Sequence, residues 1–380
     1  MKATWAWVAA GVVVMAALWG QMVTGADQPE LLIVPPANPA PGVPAMLPVR
    51  KPELLIAPLV IGPELDLSDT MQGRIEKLES GISERIDEAL PAKPVIKPLK
   101  ARKLLVFVGV KGFYHDSIPV AAVALKRMGD MTGAYEATIT DDEHVFRATT
   151  LTKFDGIFMV NNCGEHPQPT EAGGNFNQQQ AREDFMAYIK GGHGLMGTHA
   201  AADCSHSWAE YQDMIGGEFA GHPWGKAAVR NEDPDNQINA VFKGKGFMIR
   251  DELYTFKPLT DKRPEGYSRE KLHILLSIDL EKSGYKDTTR KDGDYALSWT
   301  KTYGDGRVFY CALGHAKEDF YNPILLKHYL AGIQYALGDL ETDAKPSAKL
   351  PADRKMGDAP DINDADACIN VKPHMPGGGN

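Results

Sequence analysis

The run Lys103-Leu-Leu-Val-Phe-Val-Gly109 is continuously apolar, short and closed by glycine, which is the pattern of a β-strand buried on both faces. From Ser117 to Met131 apolar residues then recur at helical spacing. A strand with two buried faces needs cover on each side of its sheet, so this pair of segments confines the chain to a layered α/β architecture. The pattern repeats. Tyr135 to Thr140 alternates and stops at Asp141-Asp142, Phe154 to Val160 is a second buried run, Phe176 to Ile189 is helical and halts at Gly191-Gly192, and His193 to Thr198 is a further strand. Such alternation predicts a parallel sheet flanked by helices. Beyond Gly225 the texture changes to strands in succession: Phe247 to Phe256, Leu272 to Ile278, Tyr295 to Tyr303 and Arg307 to Leu313, before a closing helix from about Asn322 to Leu337.

Proline marks the limits of this body. Of 26 prolines, 13 lie between Pro29 and Pro98, eight between Ala101 and Leu340, and five from Pro346 onward. The 380 residues therefore divide into a leader (1–26), a proline-rich spacer (27–100), a body (101–340) and a tail (341–380). The tail is rich in Asp, Pro and Gly, and its Asp361, Asp364 and Asp366 lack the glycine and glutamate of a calcium loop, so it is expected to be solvated and disordered. With 43% hydrophobic and 24% charged residues, the chain as a whole is ordinary globular material, which excludes collagen, wholesale disorder and a multi-span membrane protein.

Lys2 precedes the apolar run from Trp5 to Trp19, and Thr24-Gly25-Ala26 supplies small residues at the offset of a signal-peptide cleavage site. The alternative is an uncleaved anchor and membrane tether, because Ala3 to Val23 is about 20 residues, enough to span hydrocarbon. Either reading places the body in an extracytoplasmic space, periplasmic or secreted. From Asp27 to Leu67 the repeated prolines forbid ladders and favour extended, semi-rigid geometry. Met71, Ile75, Leu78, Ile82, Ile86 and Leu90 then predict one amphipathic helix over 68–90, which either builds a homo-oligomer as a coiled coil or docks on the body.

A net charge of −9 excludes nucleic acid as a partner, since phosphate contact needs clustered Lys and Arg. Four scattered cysteines, Cys163, Cys204, Cys311 and Cys368, form no CxxC pair and no disulfide framework. The first three read as small hydrophobes rather than nucleophiles. Gly191-Gly192-His193-Gly194 lacks the P-loop lysine, and no GxSxG elbow exists.

Open α/β sheets bind ligands beyond the carboxyl ends of their strands, and histidines gather at those positions. His115 follows the first strand, His199 ends the strand from Gly194, His222 lies in Gly221-His-Pro-Trp224, and His315 ends the strand from Arg307. The candidate carboxylates are Asp203, four residues after His199, and the pair Asp251-Glu252, which falls within a predicted strand so that one of the two faces inward. Histidine with carboxylate works as a general acid–base pair. The same set, His199, His222, His315 and Glu252, equally suits a divalent metal such as zinc. Trp224 and Tyr254 would offer faces to a sugar ring.

Five ordered motifs resemble the ThuA-like (trehalose utilisation) family. They are Gly112-Phe-Tyr-His115-Asp-Ser-Ile118, Gly194-Leu-Met-Gly-Thr-His199-Ala-Ala-Ala-Asp203, Gly216-Gly-Glu-Phe-Ala-Gly-His222-Pro-Trp224, Asp251-Glu-Leu-Tyr-Thr-Phe256 and Gly306-Arg-Val-Phe-Tyr-Cys-Ala-Leu-Gly-His315. The resemblance covers about Lys103 to Leu340. It implies a flavodoxin-like sheet related to class I glutamine amidotransferases, with added strands in the C-terminal half, and a role in carbohydrate metabolism on keto-sugars or glycosides. Those amidotransferases place a cysteine nucleophile at a strand-to-helix elbow, where this chain has Gly197-Thr198-His199-Ala200. The expected activity is therefore that of a sugar isomerase, lyase or hydrolase rather than a glutaminase, with His199, His315, Glu252 and Asp203 as catalytic candidates and His115, His222, Trp224 and Tyr254 as substrate-binding candidates. A non-catalytic carbohydrate-binding or surface scaffold module with the same fold is the rival.

Overall fold

The computed structural model describes residues 70–168, 176–286 and 290–370. The leader and most of the spacer lie outside the described residues. Among the described residues no helix is long and apolar enough to cross a membrane.

The parallel half of the main sheet comprises β1 (Lys103–Phe107), β2 (Glu136–Thr140), β3 (Gly156–Val160) and β4 (Gly194–Thr198). Every residue of β3 and β4 is buried, which explains their unbroken apolar character: neither face meets water. The chain continues through β5 (Phe219–Trp224), β6 (Ala227–Asn231), β7 (Phe247–Ile249), β8 (Leu253–Phe256), β9 (His273–Ile278), β10 (Ala296–Tyr303) and β11 (Gly306–Cys311). Nine strands form one sheet in the order β2-β1-β3-β4-β11-β10-β9-β6-β7. The first five are parallel and the rest antiparallel. With β11 as the fifth strand, the parallel half has the flavodoxin order 2-1-3-4-5, and the antiparallel wing supplies the added strands expected of the C-terminal half.

Helices cover both faces. In β4, a Cβ added to Gly194 would meet Ala336 of the helix Pro323–Ala336, whereas one added to Gly197 would meet Ile215 of the helix Ala209–Ile215. Residues three apart in a strand point to opposite faces, so these two helices sandwich the sheet. β5 and β8 pair as a separate antiparallel ribbon, Gly221 opposite Thr255.

Four expectations need correction. Phe247 to Phe256 is not one strand: Asp251 and Glu252 lie in the connection between β7 and β8, where alternation does not apply, and both face inward. The predicted helix over 68–90 is two helices, Met71–Glu76 and Ser80–Ala89, with Gly81 beside the break, where it weakens helical continuity. The spacer ends earlier than residue 100, because both helices dock on the body with Ile86 fully buried, and the following segment donates from Val95 and Leu99 N–H to Gln334 and Asp339.

The tail is ordered against the sheet as far as Asn370. Asn231 and Gly357 exchange both backbone hydrogen bonds, and Met248 bridges to Cys368. β7 is the edge strand, and Asn231 of β6 runs past its end, so both offer backbone partners, which a polar composition does not exclude.

Candidate functional site

His199 is the first residue after β4 and adopts φ 43°, a left-handed conformation unusual for a side-chain-bearing residue and characteristic of functional positions. The turn is pinned. Tyr310 Oη donates to the His199 carbonyl at 2.7 Å, and His199 Nδ1 lies 2.9 Å from the Ala312 carbonyl oxygen. A carbonyl can only accept, so Nδ1 carries a proton and Nε2 is the ring atom turned to the cluster. That Nε2 atom is 3.2 Å from Glu252 Oε2 and 3.3 Å from His315 Nδ1. His315 Nδ1 is also 3.3 Å from Glu252 Oε2.

His315 is set by the loop after β11. Gly314 has φ 122°, and a Cβ there would stand 2.6 Å from Thr198 Oγ1. Its carbonyl accepts from Ser117 Oγ and Asn161 Nδ2. Asp251 receives the N–H groups flanking His315, and behind it Asp319 is fully buried. Burial first, and then the charge of Asp251, raises the Asp319 carboxyl well above the carboxylate range. Asn370 Nδ2 donates to Asp319 Oδ1 at 3.0 Å.

The β5–β8 ribbon brings up the remaining groups. Glu252 immediately precedes β8, and its second oxygen, Oε1, lies 3.2 Å from Nδ1 of His222 on β5. The side chain of His222 is 52% exposed, so the cluster opens to solvent on that side. The Tyr254 ring packs 3.9 Å from that of His199. His115, buried after β1, meets His199 and His315 edge-on, with centroids 5.0 and 5.3 Å apart. Its Nδ1 is buried without a hydrogen-bond partner. One donor atom from each of His115, His199, Glu252 and His315 can be chosen so that all lie within 4.8 Å of one another. His222 stands outside this set, in contrast to the sequence-derived metal set, and His115 stands inside it.

Charge in the cluster is polarised. Burial favours a neutral Glu252, but hydrogen bonds from His199 and His315 and their charge hold its carboxyl well below the usual range. Burial likewise works against a proton on His315, yet Glu252 outweighs it and raises the His315 pKa. His115 is pushed down to about 2, first by burial and then by the neighbouring His199 and His315.

Two candidates lie elsewhere. Asp203 makes no bond to His199; it pairs with His206 Nε2 at 2.8 Å and accepts from Cys163 Sγ. His206 in turn meets Glu218, itself held by Lys257 and Arg263. The sequence reading missed His206, although it lies three residues beyond Asp203 on the same loop. Trp224 stacks on Tyr285, centroids 4.5 Å apart, and meets Tyr295 edge-on, so it packs under the ribbon. None of the buried cysteines is poised as a thiolate. Burial is the leading cause in each case, lifting Cys163 to about 11 and Cys311 to about 12, with Cys204 higher still.

A family model described as ThuA, trehalose utilisation, matches residues 103–336, more than half of the chain. The chain belongs to the ThuA family. The matched span contains every member of the histidine–glutamate cluster. Among solved structures, this ThuA protein is similar to a ThuA-like protein from Bacteroides uniformis, at 21% identity over 64% of this chain and 93% of that one, with a TM-score of 0.44. A ThuA-like protein from Parabacteroides merdae is 19% identical over 67% and 94% of the two chains, with a TM-score of 0.42. No curated protein matches.

Proposed function

We propose that this ThuA protein is an exported enzyme that transforms keto-sugars or their glycosides, with the Glu252 cluster as its active site. Family membership points to carbohydrate metabolism. The observation that carries the finer reading is the convergence of His199, His222 and His315 on one carboxylate, Glu252, at the carboxyl ends of parallel strands.

Enolisation beside a carbonyl needs a polarising group at the oxygen and a base at the adjacent carbon. On this reading the His199–Glu252–His315 triangle faces the keto oxygen and His222, at the open side, takes the proton from the neighbouring carbon. The released electron pair forms the enolate. Where the neighbouring carbon bears a hydroxyl, transfer of that hydroxyl's proton to the enolate oxygen and return of the abstracted proton to the former carbonyl carbon give an isomer. Expulsion of the oxygen substituent β to the carbonyl breaks the glycosidic C–O bond, leaving an enone and a free alcohol once that oxygen is protonated. The N-terminal apolar run and its small-residue site support work outside the cytoplasm, and sequencing the N-terminus of the mature protein checks this.

The purified chain, incubated with keto-glycosides in heavy water, is expected to exchange the carbon-bound hydrogen beside the carbonyl and to form isomer or elimination products. His199→Ala and His315→Ala are expected to abolish both. Binding of the sugar with neither exchange nor product would sink the enzymatic reading in favour of a binding module.

A further inference from the structure

We propose that His199, Glu252, His315 and His115 bind one divalent transition-metal ion, zinc in the first instance. The assignment deepens the enzymatic reading, on which its catalytic meaning rests, but the geometry behind it is separate.

The first ground is the meeting of lone pairs. With Nδ1 held by the Ala312 carbonyl at 2.9 Å, His199 turns Nε2 toward a carboxylate oxygen at 3.2 Å and a second imidazole nitrogen at 3.3 Å. Three atoms able to donate a lone pair to a metal therefore meet at one point. A metal ion that displaced the ring protons between them would be held by all three at once.

The second ground is size. Edges of 3.2, 3.3 and 3.3 Å leave a point about 2 Å from all three atoms, which is the zinc–nitrogen and zinc–oxygen bond length. Imidazole with a carboxylate is also a donor set that suits zinc.

The third ground is the surrounding support. Metal-binding histidines donate their other ring N–H to a carbonyl or carboxylate, and metal-binding carboxylates are themselves hydrogen-bonded. His199 does the first through Ala312, and Glu252 has His222 Nδ1 3.2 Å from its second oxygen. His115 supplies the fourth donor: it is buried, lies within 4.8 Å of the other ligand atoms, and leaves Nδ1 without a hydrogen bond. Zinc held there would polarise a carbonyl oxygen as a Lewis acid only by taking it as a fifth ligand or in place of the weakest donor, His115, and His222, outside the ligand set, keeps its proton-transfer role.

The test uses the purified full chain, stripped with a chelator and titrated with zinc, with bound metal counted by mass spectrometry and cobalt substituted as a spectroscopic probe. One zinc per chain is expected, with visible cobalt absorption. His199→Ala, His315→Ala and the conservative Glu252→Gln should each weaken zinc binding by more than about 100-fold, the upper end of what losing an outer partner costs, and His222→Ala by about 10-fold. His115→Ala should weaken it less than the other three ligand variants. Circular dichroism confirms that each variant is folded. Wild-type protein that takes up no stoichiometric zinc and gives no cobalt bands overturns the site, as does unchanged affinity in folded Glu252→Gln. If zinc binds and no keto-sugar reacts, the substrate reading falls and the metal site stands. If protein shown to hold no zinc turns the sugar over, the metal assignment falls and the proton-transfer reading stands.

Discussion

Asp251 grips the backbone on both sides of His315, accepting the Gly314 N–H at 2.8 Å and the Ala316 N–H at 3.1 Å. Neither atom of this clamp belongs to the imidazole, yet together they fix where the imidazole points. Asp251→Ala would leave two buried donors unsatisfied, at about 1–3 kcal/mol each. A stability loss of about 3 kcal/mol in urea unfolding is expected, together with loss of turnover, and Asp251→Asn should fall between variant and wild type. Wild-type stability in Asp251→Ala would refute the clamp.

Gly314 adopts φ 122° and sits against Thr198. Gly314→Ala adds backbone strain of about 1–3 kcal/mol and a steric clash with Thr198 Oγ1. The expected outcome is a lower melting temperature and displacement of His315. Double replacement with Thr198→Ala should recover part of the stability by relieving the clash while the strain remains, and calorimetry of the three variants measures the split.

Among the described residues the polar contact of His222 is with Glu252, and its side chain is half exposed, so the fold does not depend on it. His222→Ala should change stability by less than about 0.5 kcal/mol while lowering turnover by about 10²–10⁴-fold, the range for a lost proton-transfer group. Unaltered turnover would remove His222 from the mechanism.

Part of the acid sensitivity should arise far from the site, at His328, beside that of His115 within it. Burial lowers the His328 pKa from 6.5 to about 4 in the folded chain. The unfolded chain takes up this proton near pH 6.5 and the folded chain only near pH 4, so stability falls as pH drops through that window and is constant above it. The full contribution is about 3 kcal/mol. His328→Gln should flatten this part of the stability–pH curve, which the difference between the two proteins' urea midpoints at pH 7 and pH 4.5 reports.

Asn370 links the tail to the back of the site. Its side chain accepts from the Arg250 N–H at 2.9 Å and donates to the Arg250 carbonyl at 2.7 Å and to Asp319 at 3.0 Å. Asn370→Ala strands these buried groups, and a loss of about 2 kcal/mol is expected in urea unfolding. No change would mean that the tail is dispensable.

Strands β3 and β4 are legible in the sequence because burial on both faces leaves them almost wholly apolar, and β2 by its alternation. The β5 and β6 strands are not: β5 carries His222 and Pro223 and alternates between half-buried and exposed positions, so its apolar signal is weak. Asp251 and Glu252 were read as parts of one strand because the apolar residues around them continue on both sides, and a two-residue interruption leaves no compositional mark. His199 and His315 are recoverable from strand-end position alone, whereas Glu252 is reached only as one of an acidic pair. Asp203 shows the limit of that rule: it follows His199 closely in sequence, but the turn after β4 rotates it toward His206. The order of the tail is the least legible feature, since it depends on partners such as Asn231 and Met248 more than a hundred residues away, and composition says nothing about a waiting strand edge.

The route from Asn370 through Asp319 and Asp251 to the loop of His315 has a consequence for biosynthesis. The brace of the pocket is made after all five motif segments. A chain interrupted before residue 370 would contain all of them and still have an unbraced His315, so competence comes later in synthesis than the motifs themselves.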